Sequence, residues 1–409
     1  MGDIRWESRL LETMEARASE AAELAAEVTR TSREAPAELA GFAARYLERC
    51  GLFPFAHNAG ARHVNVLARY DGVRHEGGAA PIPPRERHLV LCGHGGVVRP
   101  DDAACLAGAL WAAALAARLR VPISGPLTVL LVSGENAGLG VPWVLDRDLI
   151  EGPTAAVVAA PSGRAHPAVA QLGRCQFEVR VAARSDGADG AGADAADGDS
   201  GIPAGIPAPA GADSVIVKAA AAVLALRRIA EMKAEVPREL ADLVEASTRA
   251  LTGGDGRPAV EFDHVSVNIG TIQGGSAIGT VPQRCVIGVD CGLPFGIDTG
   301  PVLGQAHQLL AEAGIQAQVV ERGSGAPASL TPASDPIVRS LLGAVREVVD
   351  PRAHGVLHPS SGDARWFRER GIPAVQYGSS GQTKNRKTAD PTEAAKVYAL
   401  TVLRYLRTD

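Results

Sequence analysis

Residues 91–98 read LCGHGGVV and place a histidine, His94, directly after an apolar run that is typical of a buried strand. An imidazole at the end of such a strand can bind a metal ion or transfer a proton. A carboxylate two residues further on would lie on the same face and orient the ring, but position 96 is glycine. His94 is therefore either an ordinary buried histidine or the remnant of a metal site.

Three further residues have side chains that could act with His94 in catalysis. Glu135 follows another apolar run, LTVLLVSG, and could serve as a general acid or base, or cap a helix. Cys105 could be a nucleophile with His94 as its base, or a small core residue. Asp363, in SSGDAR, could join the same site or be the N-cap of the helix that follows. We take all four as catalytic candidates.

Five residues are candidates for substrate binding because they lie in segments that border the predicted site: Asn136, His166, His358, Ser361 and Lys384. The two histidines could also act as a new acid or base, although a histidine in a loop is usually just solvated. Lys384 lies in a basic cluster, which could hold an anionic substrate or simply be wetted surface.

Apolar segments that alternate with helical ones must position these residues. Strand-like runs occupy residues 63–70, 87–93, 126–134 and 155–161, and an alanine- and leucine-rich helix is predicted over 103–120. Continuous apolar strands that alternate with helices are typical of a buried, largely parallel sheet. The predicted fold class is therefore α/β, with a mixed, largely parallel sheet flanked by helices.

The pattern changes after Gly173. The run RCQFEVRVAAR alternates as a half-exposed strand does, and residues 185–213 are mostly Asp, Ala, Gly and Pro. Beyond this flexible, low-complexity insert the elements follow the ferredoxin-like α+β order, β-α-β-β-α-β. We predict a small lid domain over residues 173–323, inserted into an α/β domain that comprises residues 1–172 and 324–409.

The composition limits the classes of partner. The chain has 409 residues and a net charge of −5, and only 4% are aromatic, so it offers neither a basic stripe nor stacking platforms for nucleic acid. Six scattered cysteines without a C-x-x-C pair indicate a reducing compartment, and no apolar run is long enough to span a membrane. We predict a cytoplasmic protein that binds a small molecule, and neither nucleic acid nor membrane.

Six strings, in this order along the chain, resemble the zinc aminoacylase and carboxypeptidase family: VNVLARYDG, LVLCGHGGVV, LAGALWAAALAARL, LTVLLVSGENAGLG, TIQGGSAIGTVPQRCVIGVDCGLP and SSGDARWFRERGIPAVQYG. That family includes acetylornithine deacetylase, succinyl-diaminopimelate desuccinylase and bacterial di- and tripeptidases. The resemblance covers nearly the whole chain. It implies two zinc ions between the carboxyl ends of the strands and the inserted domain, and dimerisation through that lid domain.

Residue by residue, the resemblance implies that most zinc ligands are gone. His94 matches the first ligand, but Gly96 replaces the Asp that orients it. Cys105 stands at the position of the Asp that bridges the two ions. Asn136 and Ala160 stand where the family has carboxylate ligands.

Other positions of the family pattern point the same way. Glu135 keeps the position of the general base, but no histidine follows His358 to act as the last zinc ligand. Gly279 and Gly292 replace an Asn and an Arg that contact substrate, and the lid histidine that polarises the scissile carbonyl is missing from AARSDG. These changes weaken the expectation of a substrate with a free carboxylate.

Three hypotheses follow. The preferred one is an enzyme with no cofactor and no metal ligands, in which Glu135 is the general acid or base and His94 assists. It would act on a small amino-acid-derived or acyl substrate and form, cyclise or transfer a bond rather than hydrolyse a peptide. The alternatives are a catalytically inactive binding or scaffold protein, and a zinc amidohydrolase with ligands rearranged among Asp101, Asp102, Cys105 and His166. In each case we expect a homodimer formed through the lid domain.

Overall fold

The computed structural model describes residues 2–60, 63–72, 87–96, 99–134, 139–183, 214–251, 260–277, 281–379 and 389–406. The chain divides into two compact units. The first comprises Met1–Gln171, Asp242–Leu251 and Ser329–Asp409, and the second comprises Leu172–Ala241 and Thr252–Ala328. Residues 242–251 lie within the segment predicted as an inserted domain, yet they pack in the first unit.

The described residues form eleven α-helices and thirteen strands. The helices are α1 (Gly2–Ala16), α2 (Ala18–Glu34), α3 (Pro36–Arg49), α4 (Pro100–Arg118), α5 (Val141–Leu145), α6 (Val215–Leu226), α7 (Ala241–Ala250), α8 (Thr299–Glu312), α9 (Pro336–Val348), α10 (Ala364–Glu369) and α11 (Pro391–Tyr405). The strands are β1 (Phe53–Gly60), β2 (His63–Tyr70), β3 (Leu89–His94), β4 (Leu127–Val132), β5 (Ala155–Ala159), β6 (Ala168–Gln171), β7 (Gly173–Ala182), β8 (Ser266–Gly274), β9 (Arg284–Leu293), β10 (Ala317–Ala326), β11 (Ser329–Leu330), β12 (Val356–His358) and β13 (Ala374–Tyr377).

Nine strands of the first unit form one sheet in the order β1-β2-β4-β3-β5-β13-β6-β11, with β12 also paired to β6. The central strands β4, β3, β5 and β13 are mutually parallel. The strands on both sides join antiparallel, except that β12 runs parallel to β6. The predicted α/β class with a mixed sheet flanked by helices is confirmed, and its parallel part is limited to the centre and to the β6–β12 pair.

Both faces of this sheet are covered, which is why its central strands are apolar throughout. One core packs α4 and α11 against the sheet and includes the fully buried Trp111 and Tyr398. The core on the opposite face includes Phe367 of α10. Gly108 lets α4 approach α11 closely, because a Cβ at this position would lie 3.1 Å from the Cβ of Ala394.

The second unit contains a four-stranded antiparallel sheet in the order β10-β7-β9-β8. Helices α6 and α8 contribute to its separate hydrophobic core. Every second side chain of β7 and β9 is buried in this core, as their alternating sequences require. The elements of this unit follow the order β7-α6-β8-β9-α8-β10, which is the β-α-β-β-α-β order of a ferredoxin-like unit.

Several short elements were not predicted from the sequence. The first fifty residues form three helices, and α1 and α2 are separated at Arg17. Strand β1 and the two- to four-residue strands β6, β11 and β12 had no periodic pattern long enough to detect. Helix α6 ends at Leu226 and continues as a 3-10 helix over Arg227–Glu231. Among the described residues, no helix is both long and apolar enough to cross a membrane.

Candidate active site at the carboxyl edge of the central sheet

The carboxyl ends of the central parallel strands meet at one edge of the sheet of the first unit. His94, the last residue of β3, pairs with Val132 of β4, and β3, β5 and β13 end in register. Ala160 and Gly378, which directly follow β5 and β13, therefore lie along the same edge. In sheets of this kind the carboxyl edge is where ligands bind.

The structure brings together two of the predicted catalytic residues at this edge, His94 and Asp363. Oδ2 of Asp363 lies 3.6 Å from Nδ1 of His94, which is longer than a hydrogen bond but close enough for strong electrostatic interaction. The Asp363 side chain is only 4% exposed and that of His94 is 32% exposed. A buried carboxylate thus faces one nitrogen of a partly accessible imidazole.

Asp363 is at the N-cap position of α10, but its side chain makes no capping hydrogen bond. Its Oδ1 atom is buried and forms no hydrogen bond with any described residue. A buried carboxylate oxygen without a partner costs free energy, so helix capping does not account for this side chain. Nδ1 of His94, 3.6 Å from Oδ2, is the titratable group that the Asp363 carboxylate faces.

Gly96 determines the space on the other side of the imidazole. A Cβ built at Gly96 would lie 2.8 Å from Nε2 of His94, too close for an ordinary contact. Gly96 therefore adds no side chain on the Nε2 side of the ring, while Asp363 lies on the Nδ1 side. The sequence has no carboxylate at position 96, and the carboxylate near this imidazole comes from Asp363, far along the chain.

Cys105, also predicted as catalytic, is fully buried in α4. Its Sγ donates to the carbonyl oxygen of Ser379 at 3.7 Å, and a Cβ at Gly378 would overlap it. Burial raises the pKa of the thiol far above its usual range, so the sulfur stays protonated. A protonated, inaccessible thiol is not a nucleophile, and we correct the catalytic assignment of Cys105 to that of a small core residue.

The acidic residues considered as replacement zinc ligands have structural partners. Asp102 accepts a hydrogen bond from the backbone N of Arg99, and together they cap α4. Oδ1 of Asp101 accepts from the backbone N of Ala389 at 3.1 Å. Within the described ranges, no group of three or more histidine, cysteine or carboxylate side chains is placed to hold a metal ion.

Three predicted site residues, Glu135, Asn136 and Lys384, lie outside the described residues. The described residues that flank Glu135 and Asn136 are held by Asn65, which is fully buried. Its Oδ1 accepts from the backbone N of Ser133 at 3.1 Å, and its Nδ2 donates to the carbonyl oxygen of Leu139 at 2.9 Å. Asn65 therefore ties the end of β4 to the residues that precede α5.

His63 was not considered from the sequence, although it lies at the same edge. It begins β2, which runs antiparallel to β4, and its ring packs against Gly134, where a Cβ would lie 2.9 Å from Nδ1. The signal was present in the string HVNVLARY. In an antiparallel pair, the first residue of one strand lies beside the last residue of the other. A histidine that begins β2 is therefore expected beside the end of β4.

The described substrate-binding candidates do not form one cluster. His166 precedes β6 and His358 ends β12, so they lie at opposite ends of a parallel strand pair. Burial lowers the pKa of His358 to about 4, and its Nδ1 accepts from Oγ of Ser360 at 2.7 Å. Oγ of Ser361 is 3.5 Å from Nη1 of Arg365. His358 is thus a half-buried histidine that is neutral at neutral pH.

No family model and no curated protein matches the chain. Solved structures do match over nearly its whole length. Human carnosine dipeptidase 1 matches with 13% identity and a TM-score of 0.72, and 98% of each chain is covered. The di-peptidase Dug1p from Saccharomyces cerevisiae matches with 11% identity and a TM-score of 0.73, also covering 98% of each. YXEP from Bacillus subtilis, a dinuclear metal binding peptidase from the M20 family, matches with 12% identity and a TM-score of 0.54, covering 94% of this chain and 99% of its own.

These matches establish the fold, and they confirm at that level the family resemblance that the sequence strings indicated. They also require a correction. We expected no cofactor, but the structures that share this fold include a dinuclear metal binding peptidase. The expectation of no cofactor is therefore wrong for a chain of this fold.

Proposed function

We propose that the chain is an enzyme that acts on a small amino-acid-derived or acyl substrate, and that His94 is the acid or base of its site. The observation that supports this is the arrangement around one imidazole. Asp363 faces Nδ1 from a buried position, the His94 side chain is 32% exposed, and Gly96 places no side chain beside Nε2. A carboxylate on one nitrogen and space at the other is the arrangement that proton transfer requires.

The chemistry follows from the two nitrogens of His94. With its hydrogen on Nδ1, directed at Asp363, the ring offers the Nε2 lone pair to a proton of the substrate or of an attacking group. When Nε2 accepts that proton, a positive charge forms beside the Asp363 carboxylate, which stabilises it. The same proton can then be returned from Nε2 to a leaving group.

The two-metal centre described for a structural neighbour was tested against the donor atoms of this chain. Of the described residues at the positions of family ligands, only His94 offers a nitrogen. Ala160 has no donor side chain, and Cys105 is a buried, protonated thiol. These residues do not fit a two-metal centre, so we derive no step through one.

The proposal is tested by following turnover in a panel of dipeptides, N-acyl amino acids and amino acids with acyl donors, analysed by mass spectrometry with and without added zinc. We expect turnover to fall at least about 100-fold in His94→Asn. We expect a loss of about tenfold or more in Asp363→Asn, because the ring is no longer oriented. His307→Asn, an exposed histidine of α8, is the matched control and should leave turnover unchanged.

Equal turnover in wild type and His94→Asn would contradict the proposal. Ligand binding that raises the melting temperature, without conversion of any compound, would instead favour the binding-protein hypothesis. In that case His94→Asn would weaken binding without abolishing any reaction.

We also propose that two copies pair through the second unit. Its edge strand β8 is exposed along most of its length, and Ile272 on it is 51% exposed. Ile216 is another exposed apolar side chain. Its Cδ1 methyl would lie 3.5 Å from a Cβ at Gly275, just beyond β8. An unpaired edge flanked by exposed apolar side chains is suited to pairing with the same edge of a second copy.

Sedimentation equilibrium tests this pairing. The wild type should have twice the monomer mass, and Ile272→Glu should shift the chain towards monomer. Gln318→Glu, on the opposite edge strand β10, is the control and should remain dimeric. A wild type that stays monomeric at every concentration would contradict the proposal.

A further inference from the structure

Two histidines of the first unit are brought together by a short pair of parallel strands. Ala168 of β6 is opposite Val356 of β12. His166 and His354 each lie two residues before these partners, so they have equivalent places at the start of adjacent strands. Their ring centroids are 4.6 Å apart and the rings are tilted by 58°.

The backbone around this pair is closely packed. The backbone N of Val356 donates to the carbonyl oxygen of Pro167, the residue after His166, at 2.9 Å. A Cβ at Gly355 would lie 2.8 Å from the side chain of Val169. The positions of the two imidazoles are therefore set by the strand pairing rather than by mobile loops.

The state of His166 suits coordination of a metal ion. Nδ1 is buried and has no partner with hydrogen-bond geometry among the described residues. Burial lowers the pKa of His166, and the neighbouring His354 acts in the same direction. At neutral pH the ring is uncharged, which is the form that binds metal ions. A buried, unsatisfied nitrogen beside a second imidazole is costly unless something binds it.

The separation of the rings fits shared coordination. Two imidazoles bound to one zinc ion at about 2.0–2.1 Å with near-tetrahedral angles have ring centroids roughly 5 Å apart. The observed 4.6 Å agrees with this value. Asp350, whose pKa is lowered to about 2 by its hydrogen bonds with Arg352, interacts electrostatically with His166 and adds negative charge nearby.

There is also room for further ligands. A cavity of about 400 Å³ is lined by His354 and by Ala246, Arg249 and Ala250 of α7. A metal ion held by only two protein nitrogens needs water or another small ligand at its open positions. The cavity adjoins His354, and Arg249 on its wall offers a positive charge to an anionic ligand.

We propose that His166 and His354 form a two-histidine binding site for a divalent first-row transition-metal ion, zinc or copper, with its remaining positions open to water or a small anion. Neither histidine belongs to the His94–Asp363 pair, so the two sites can be tested separately. This site would hold a metal ion away from the sheet edge. At that edge, the described residues at the family's ligand positions do not form a two-metal centre.

Zinc titration of the full, metal-stripped chain against a chromophoric competitor tests the site. The wild type should bind one equivalent tightly, and His166→Asn and His354→Asn should each weaken binding at least about tenfold. His307→Asn and His94→Asn should bind as the wild type does. The site is overturned if the equivalent persists in the His166→Asn/His354→Asn double variant, or if it is lost in His94→Asn instead.

A second measurement on unmutated protein removes any dependence on how the variants fold. With one equivalent of Cu²⁺, electron spin echo modulation should show two coordinated imidazoles. A spectrum with a single imidazole, or no binding by the wild type at micromolar metal, would contradict the proposal.

Discussion

The carboxyl edge of the central sheet has an open end and a sealed end. At the open end, the His94 side chain is 32% exposed and faces the Asp363 carboxylate, and Gly96 lies on its Nε2 side. At the sealed end, Cys105 is fully buried under Gly378 and Ser379, and its Sγ donates to the carbonyl oxygen of Ser379. One end can meet a ligand, whereas the other has become part of the core.

The difference shows that residues which a family pattern would group into one site can have separate roles. The imidazole and carboxylate of the open end keep the polar, partly accessible surroundings that proton transfer needs. The sulfur of the sealed end occupies a space where a charge would be costly. Chemistry at this edge is therefore expected at His94 and not at Cys105.

The largest effect is expected from placing a charge at the sealed end. Cys105→Asp buries a carboxylate with no partner and should lower the free energy of unfolding by about 3–5 kcal/mol, measured by urea denaturation at pH 7. Cys105→Ala is the control and should cost only about 1 kcal/mol. A Cys105→Asp variant as stable as the wild type would show that this end is open.

A smaller effect on stability is expected from His358, the half-buried last residue of β12. Burial lowers its pKa from 6.5 to about 4. Between these values the unfolded chain takes up a proton that the folded chain does not, so stability should fall as the pH falls from 6.5 to 4, by up to about 3 kcal/mol. Above pH 6.5 this histidine should contribute no pH dependence.

Urea denaturation at several pH values, compared between wild type and His358→Gln, measures this contribution. The variant should have a shallower loss of stability between pH 6.5 and 4. Identical slopes in the two proteins would mean that the pKa of His358 is not lowered in the folded chain.

The smallest effect on stability is expected at the open end. Gly96→Asp adds a side chain next to Nε2 of His94, and the imidazole can rotate away. The free energy of unfolding should change by less than about 1 kcal/mol. Turnover should nevertheless fall about tenfold, because the ring is displaced from Asp363. Gly96→Ala should have an intermediate effect, and a large loss of stability with unchanged turnover would contradict this account.

The sheet and its carboxyl edge were predictable because they depend on local patterns. Apolar runs such as residues 126–134 are buried on both faces, and their ends place His94 at the edge. The ferredoxin-like order of the second unit follows likewise from alternating strands and apolar helices.

The contacts that define the sites were not predictable, because they depend on the folded backbone. Asp363 equally suited a helix cap, and only the fold shows its side chain turned to His94. The burial of Cys105 depends on the close approach of Gly378. His354 was missed because the strands that bring it to His166 are too short to have a detectable pattern.

The central claim is that Asp363 orients His94 so that Nε2 is available for a proton. Long-range ¹H–¹⁵N NMR of the imidazoles at neutral pH tests it without knowledge of the substrate. The account predicts that His94 carries its hydrogen on Nδ1 in the wild type and that this preference is lost in Asp363→Asn. A His94 with its hydrogen on Nε2, unchanged in Asp363→Asn, would contradict it.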